Sequence, residues 1–287
     1  MKKLGMLPNP EKDPRLKCSK KICAYLKKIG AQVYTLPEYA DLAKDIHIVS
    51  KEELYQEVEC IIAIGGDGTM LRVSHDAAKA KKPILGINFG KVGYMAELEY
   101  SEIEMLSALI EDKFSYDKRS MLDVVVMRNG KELYRSIALN DAVVTKGLVS
   151  RLVDIDIYSE KGFITSYKAD GLIASTPTGS TGYSIAAGGP IIEPSSRSII
   201  VTPIAPHSLV NRSIVFDDEA KITIVAKNIA NKDAYLDVDG FENVRLQEGD
   251  EVVVSRSRKY TNLIKIKNLN FYEILNSKLG GNGGAKK

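Results

Sequence analysis

The chain has 287 residues, enough for one large domain or two of ordinary size. A hydrophobic fraction of 44% and a charged fraction of 27% exclude wholesale disorder, and 40 Lys and Arg against 37 Asp and Glu leave a net charge of only +3, which removes the electrostatic case for a nucleic-acid partner. No stretch approaches the roughly 18 apolar residues of a membrane span, Pro8 and Pro10 stop the Leu4 to Leu7 run short of a signal segment, and Cys18, Cys23 and Cys60 form no Cys-x-x-Cys pair; the expectation is a cytoplasmic protein with reduced thiols and no membrane partner.

Up to about residue 115, short apolar runs alternate with helical patterns, as a parallel α/β sheet requires. Lys3 to Leu7 reads as a first strand. Pro14 to Ile29 follows as a helix with Leu16, Ile22, Cys23, Leu26 and Ile29 on one side and many lysines opposite. Gln32 to Leu36 is the next strand and Pro37 to Val49 a loose region. Cys60 and the four apolar residues Ile61 to Ile64 read as a short strand buried on both faces. They run directly into Gly65-Gly66-Asp67-Gly68-Thr69, after which Met70, Val73, Ala77 and Ala80 recur at helical spacing, with Arg72, Asp76 and Lys79 left for the solvent side. Ile84 to Ile87 is a further strand, and Ser101 to Asp112 closes this half as a helix.

Gly65 to Thr69 is therefore a strand-to-helix turn. Glycines there let backbone amides approach an anion, and the helix start adds unpaired N–H groups and the positive end of its dipole. Asp67 is out of place beside a phosphate unless it holds a metal, takes a proton from an attacking hydroxyl or grips a ribose hydroxyl. The same five residues are also a good turn sequence that binds nothing. No Walker pattern and no Gly-x-Gly-x-x-Gly after a strand is present, so an ordinary dinucleotide fingerprint does not account for the turn.

From about Leu122 the pattern becomes that of antiparallel β structure, with Val153, Ile155 and Ile157 alternating against Asp154, Asp156 and Tyr158 before a Lys161-Gly162 turn. Further strands are expected at Asp123 to Met127, Leu133 to Thr145, Phe163 to Tyr167, Leu172 to Ser175, Ser198 to Thr202, Lys221 to Ala226, Tyr235 to Val238, Glu251 to Ser255 and Leu263 to Ile266, forming a β-sandwich-like domain. Phe271 to Leu279 returns to helical spacing and is expected to pack on the first half, ahead of a Gly-rich flexible tail, Gly280 to Lys287. The expected organisation is an α/β domain of residues 1–115 plus about 268–279, a β-rich domain of residues 116–267 and a tail of residues 280–287.

A second dense stretch runs from Tyr167 through Lys168, Asp170, Ser175, Thr176, Thr178, Ser180, Thr181 and Gly182 to Tyr183 and Ser184. Its hydroxyls and amides suit ribose and phosphate oxygens, and Tyr183 is placed to border a base. The plain alternative is a polar surface loop. Against it, the chain continues into Ile185-Ala186-Ala187-Gly188-Gly189-Pro190, an apolar, small-residue segment that suggests a buried helix.

With these residues in view, the chain resembles the NAD kinase family over most of its length. The Gly65 to Thr69 turn is shared with diacylglycerol-type lipid kinases and, in close variant, with phosphofructokinases. The runs Ala169 to Ile173 and Thr176 to Thr181, with Ala187 to Pro190 following, are similar to NAD kinases specifically. Leu139-Asn140-Asp141 matches that family's Asn-Glu/Asp pair, and Asn88 to Tyr94 resembles its segment bordering the NAD adenine. The resemblance implies ATP-dependent phosphoryl transfer to the 2′-hydroxyl of the adenosine ribose of NAD, giving NADP. It implies Asp67 as general base or anchor of the acceptor hydroxyl, with Gly66, Gly68 and Thr69 near phosphates. Asn140 and Asp141 would hold the nicotinamide-side ribose, and Asp170 the carboxamide end of the second nucleotide site. The full candidate binding set adds Arg72, Tyr94, Lys168, Thr178, Thr181, Gly182, Tyr183 and Ala186. Gly182 stands where the family commonly has alanine, and Asp141 is the shorter of the two acids seen at its position.

The same resemblance implies an NAD site built partly from a neighbouring subunit, hence a homodimer or homotetramer. Magnesium is expected to accompany ATP without a full protein cage, and polyphosphate stays open as a donor beside ATP. His47, His75 and His207 are scattered and lack metal-ligand spacing, so no protein metal site is expected. Two other readings compete. A diacylglycerol- or sphingosine-type lipid kinase would share the glycine turn but should show a membrane-facing amphipathic segment, and none is evident. A non-catalytic nucleotide-binding regulator would not need Asp67, Asn140 and Asp170.

Overall fold

The computed structural model of the chain describes residues 1–90, 93–147, 152–207, 212–229 and 233–279, so the tail expected at Gly280 to Lys287 lies outside the described residues. The chain divides into two compact units, residues 1–118 with 261–287 and residues 119–260. The sequence pattern sets these limits at 115/116 and about 268.

In the first unit the elements run β1 (Lys3–Pro8), α1 (Lys17–Lys28), β2 (Gln32–Thr35), β3 (His47–Ile48), α2 (Lys51–Glu57), β4 (Cys60–Ile64), α3 (Asp67–Ala80), β5 (Ile84–Asn88), β6 (Leu98–Glu99) and α4 (Ser107–Ile110). The strands pair in parallel in the order β3-β2-β1-β4-β5, with Ile62 of β4 opposite Met6 of β1 and Leu85 of β5. All five residues of β4 are buried, as a central parallel strand with both faces covered demands. The strand order turns back at β1: β2 lies on one side of it and β4 on the other. The loops leaving the carboxyl ends of β1 and β4 therefore open into the crevice where sheets of this kind receive ligands. On α3, Met70, Val73, Ala77 and Ala78 are buried, and α1 buries Ile22, Cys23 and Leu26 while its lysines stay outside. Two helices expected from the sequence are shorter than their patterns. Pro14–Leu16 is a 3-10 turn ahead of α1, and a 3-10 stretch with a non-helical residue at Glu102 occupies Tyr100–Leu106 ahead of α4.

The second unit holds most of β7 (Ser115–Arg128), then β8 (Lys131–Ala138), β9 (Asp141–Lys146), β10 (Val153–Ser159), β11 (Gly162–Ala169), β12 (Gly171–Ser175), α5 (Tyr183–Ala186), β13 (Ser198–Ile204), β14 (Ile214–Asp217), β15 (Ile222–Lys227), β16 (Ala234–Val238), β17 (Glu242–Leu246) and most of β18 (Glu251–Lys265). One antiparallel sheet has the order β14-β13-β12-β9-β16-β17, and β11-β10-β15-β18 form a second antiparallel set. Val144, Leu172, Val201 and Leu236 of the first and Ile155, Ile157, Ile224 and Val252 of the second share one buried core, the arrangement of a β-sandwich. The long β18 replaces the two short strands expected at Glu251 to Ser255 and Leu263 to Ile266, with Ser257 and Thr261 buried between them. Its last residues leave this unit, and Leu263 pairs in parallel with Ile84 of β5 in the first. Helix α6 (Phe271–Leu279) follows as expected and belongs to the first unit.

Candidate active site

In the first unit, β4 ends at Ile64 and the chain turns through Gly65 and Gly66 into α3. Gly66 is the N-cap, in extended backbone, and its carbonyl accepts from the amides of Thr69 (2.9 Å) and Met70 (3.2 Å). The earlier amides of the first turn have no helical carbonyl to bond and point out of the helix start. Gly68 is exposed, with open space where a side chain would stand.

Asp67 is the first residue of α3, and its carboxylate does not cap that helix. It reaches sideways to the segment after β5, where Oδ2 accepts the Tyr94 amide (2.9 Å) and Oδ1 the Met95 amide (3.2 Å). Gly93 makes this possible, because a methyl group on it would occupy the carboxylate's place. Each oxygen keeps lone-pair capacity for a further donor, and the residue is only half-buried. The carboxylate is thus fixed in orientation and open to a hydroxyl. The phenol of Tyr94 is pushed up by burial and, less, by the Asp67 charge. Thr69 is buried, and its Oγ1 accepts from Nδ2 of Asn9 at 3.2 Å, while the Asn9 amide donates to the carbonyl of Ile64 at 2.8 Å. The loop after β1 is thereby tied to the glycine turn after β4. Arg72 lies further along α3 on its exposed side.

In the second unit, Asn140 and Asp141 sit where the single strand expected from Leu133 to Thr145 breaks into β8 and β9. The break has a cause that the local sequence does not show. The Asp239 carboxylate, buried in the turn between β16 and β17, accepts the amides of Leu139 (2.7 Å), Asn140 (2.8 Å) and Asp141 (2.9 Å). Three successive N–H groups converge on one carboxylate, and Leu139 and Asn140 drop out of the ladder before β9 starts at Asp141. Asp141 is itself buried, and its carboxyl is pushed up to about 7 by burial first and then by the charges of Asp239 and Asp237.

The segment after β12 folds back on this pair. Thr176 donates its amide to the Asn140 carbonyl (2.8 Å) and its hydroxyl to the Leu139 carbonyl (2.6 Å), and accepts the Gly179 amide (3.0 Å). Gly179 rests on the Asn140 backbone so closely that a Cβ would collide with its carbonyl. A Cβ on Gly182 would stand 3.3 Å from Nδ2 of Asn140, so glycine leaves that amide extra room. The side-chain oxygen of Asn140 is buried and has no hydrogen-bond partner among the described residues. Buried acceptors are nearly always satisfied, which marks this one as a receptor for an incoming hydroxyl or amide. Thr178 is buried and its Oγ1 accepts from Nη1 of Arg119 (3.3 Å), while the Thr181 hydroxyl donates to the Thr178 carbonyl (3.2 Å). Tyr183 is 47% exposed, free to present its ring. Helix α5 has only four residues and Ala186 is exposed, so the expected buried helix over Ile185 to Pro190 is not formed; the small residues instead make a tight turn in which Gly189 donates its amide to the Ser184 carbonyl.

Asp170 and Lys168 are not brought to Asn140. They precede β12, whose far end Ser175 pairs with Asp141, about 13 Å away at the ordinary strand rise. There Asp170 forms a 2.7 Å ion pair with Lys146, and exposed Lys168 contributes its carbonyl to the His207 amide (2.7 Å). Sequence reasoning misses Asn9 and Asp239. An Asn straight after a strand and an Asp-Gly turn between two strands are visible signals, but neither names its distant partner. Among the described residues no group of three His, Cys, Asp or Glu side chains could hold a metal ion.

Two family models match the chain. Residues 5–114 match the ATP-NAD kinase N-terminal domain and residues 139–266 the ATP-NAD kinase C-terminal domain. The NAD kinase of Acetivibrio thermocellus is 35% identical over 289 aligned positions covering 100% of both chains, and that of Caldanaerobacter subterraneus subsp. tengcongensis is 39% identical over 284, covering 97% of this chain and 99% of the relative. Among solved structures, an NAD kinase from Archaeoglobus fulgidus in complex with ATP superposes with a TM-score of 0.72 at 25% identity, covering 96% of this chain and 98% of that one. Yeast NADH kinase complexed with NADH superposes with a TM-score of 0.88, covering 100% of this chain and 89% of that one; at 22% identity it speaks for the fold alone.

Proposed function

The chain belongs to the ATP-NAD kinase family and is a phosphotransferase acting on NAD with ATP, and we propose that Asp67 is the residue that handles the acceptor, the 2′-hydroxyl of the adenosine ribose. The observation that carries this reading is the Asp67 carboxylate, fixed by the Tyr94 and Met95 amides at the ligand crevice of the sheet with acceptor capacity left over. A ribose hydroxyl is a weak nucleophile at neutral pH. Asp67 orients it and accepts its proton as the new P–O bond forms and the bond to the departing ADP breaks, an acid-base contribution of typically 10²- to 10⁴-fold. Gly66, Gly68 and Thr69 receive the donor phosphates at the helix start. Magnesium arrives as part of the MgATP substrate, its ligands chiefly phosphate oxygens.

Asn140 supplies its unsatisfied carbonyl oxygen, and Asp141 its carboxyl, to the nicotinamide-side ribose. Tyr94 borders the adenine, Tyr183 presents its ring to a base, and Asp170 with Lys168 takes the carboxamide end. Because Asp170 lies at the opposite end of β12 from Asn140 and Asp141, the arrangement favours a homodimer or homotetramer in which Asp170 and Lys168 complete the site of a second copy. A cytoplasmic location belongs to the same reading and rests on the free Cys18, Cys23 and Cys60. The direct test is incubation with MgATP and NAD followed by an NADP-specific enzymatic assay: NADP is expected, and lipid phosphorylation without NADP would overturn the reading.

A further inference from the structure

The loop between β1 and α1 carries a cation that the roles above leave unused. We propose that Lys12 is a phosphate-binding residue for the phosphoryl donor, supplying from the β1 loop the positive charge that the Gly65 to Thr69 turn lacks. This inference rests on the phosphotransfer reading and adds a residue to it.

Three independent observations converge on Lys12. The first is topology. The strand order reverses at β1, so the β1 and β4 loops are the two walls of the crevice in which a doubly wound sheet binds its ligand; Lys12 is on one wall and the glycine turn is the other. The second is rigidity. Besides its ties to Ile64 and Thr69, Asn9 accepts the Glu11 amide on Oδ1 (3.0 Å) and the Lys12 and Asp13 amides on its carbonyl (3.1 and 3.0 Å). Asp13 in turn accepts the Cys18 and Ser19 amides at the start of α1 (3.0 and 2.7 Å). Asn9, Glu11, Lys12 and Asp13 are all anchored, so the backbone position of Lys12 is set before any ligand arrives.

The third is where the side chain goes. A methyl group on Gly66 would meet Nζ of Lys12 at 2.6 Å, so the ammonium lies directly over the bare backbone of the turn. It pairs with no carboxylate among the described residues. An exposed lysine with only a solvation role has no reason to lie across a glycine backbone. Backbone amides give a phosphate chain directional hydrogen bonds but little net charge. An ammonium beside them supplies the charge and strengthens each bond to the anion. Gly66 then has a steric duty, because any side chain there would push Lys12 off the turn.

The test compares Lys12→Met and Lys12→Arg with the parent in steady-state kinetics, and by calorimetry with inorganic tripolyphosphate, a probe that contains only the phosphate chain. Expected for Lys12→Met are a kcat/KM for ATP reduced about 10- to 100-fold, the range of a hydrogen bond to a charged group, an unchanged KM for NAD, an unchanged melting temperature and a matching loss of tripolyphosphate affinity; Lys12→Arg should recover most of each. Unaltered ATP kinetics and tripolyphosphate binding in Lys12→Met would overturn the inference, as would equal losses for ATP and NAD or a lowered melting temperature. If the parent protein makes no NADP, the phosphotransfer reading fails on its own, while the tripolyphosphate comparison still decides the role of Lys12.

Discussion

Asp67→Asn perturbs two things at once, and the structure allows them to be separated. Each Asp67 oxygen accepts one amide, so an Asn in the same position puts its NH2 group against either the Tyr94 amide or the Met95 amide. That N–H then lacks its acceptor, and an unsatisfied amide costs about 1–3 kcal/mol. At about 2–4 °C per kcal/mol for units of this size, the melting temperature should fall by several degrees while the protein stays folded. The chemical loss is separate and larger. Removing the base should lower kcat by about 10² or more, with the KM for NAD changed far less. Steady-state kinetics at saturating MgATP and NAD, paired with a thermal melt of the same preparation, reads both effects.

A folded Asp67→Asn protein that has lost those few degrees but retains kcat within about fivefold of the parent would refute the catalytic role. Asp67 would then be a clamp for the segment after β5 and nothing more. Helix capping offers no third account, because Gly66 is the N-cap of α3 and no side-chain cap bond is present.

Two further outcomes are expected. The Asp141 carboxyl holds its proton up to about pH 7 when folded, against an ordinary value of 3.8, so between those limits rising pH favours the unfolded chain. Urea unfolding should show the parent losing stability relative to Asp141→Asn across that window, at no more than about 1.4 kcal/mol per pH unit, and levelling above it; a pH-independent difference would contradict the assignment. Asp170→Ala breaks only a partly exposed ion pair with Lys146, so stability should change by less than about 1 kcal/mol while calorimetry shows NAD binding weakened much more than ATP binding. Equal losses for both nucleotides would count against placing Asp170 at the dinucleotide.

What the sequence makes legible is set by local patterning. The β4 run of apolar residues, the glycine turn and the α3 spacing all lie within about twenty residues, and each signal survives in the fold as read. The same holds for the alternation of Val153, Ile155 and Ile157, whose side chains are all buried in β10. Weak or ambiguous local signals leave more to the fold. Helix α2 has only seven residues, too few for its apolar spacing to stand out, although Ser50 and Glu53 form a capping box around its start. The stretch from Leu133 to Thr145 reads as one strand because its apolar pattern barely falters, and it is Asp239, on the order of a hundred residues later, that interrupts it.

That interruption belongs to a device used throughout the chain. Asp13 takes the amides of Cys18 and Ser19, Glu59 those of Lys2 and Lys3, Glu97 those of Ile266 and Lys267, and Glu248 those of Asn228 and Ile229. Where a strand or helix begins or ends, adjacent N–H groups lose their regular partners, and a two-oxygen acceptor can satisfy them together. Asp67 and Asp239 are members of this set, so a carboxylate bonded to consecutive amides is not in itself a mark of chemistry here. What distinguishes Asp67 is position. It is half-open at the point where the strand order reverses, whereas Asp239 is buried behind the residues it holds. Sequence inspection finds Asp67 because glycines surround it, and cannot find Asp239, because the partners of a clamp are chosen by the fold. The site therefore divides into groups that face a ligand, which local sequence can nominate, and groups that hold those in place, which only the folded chain identifies.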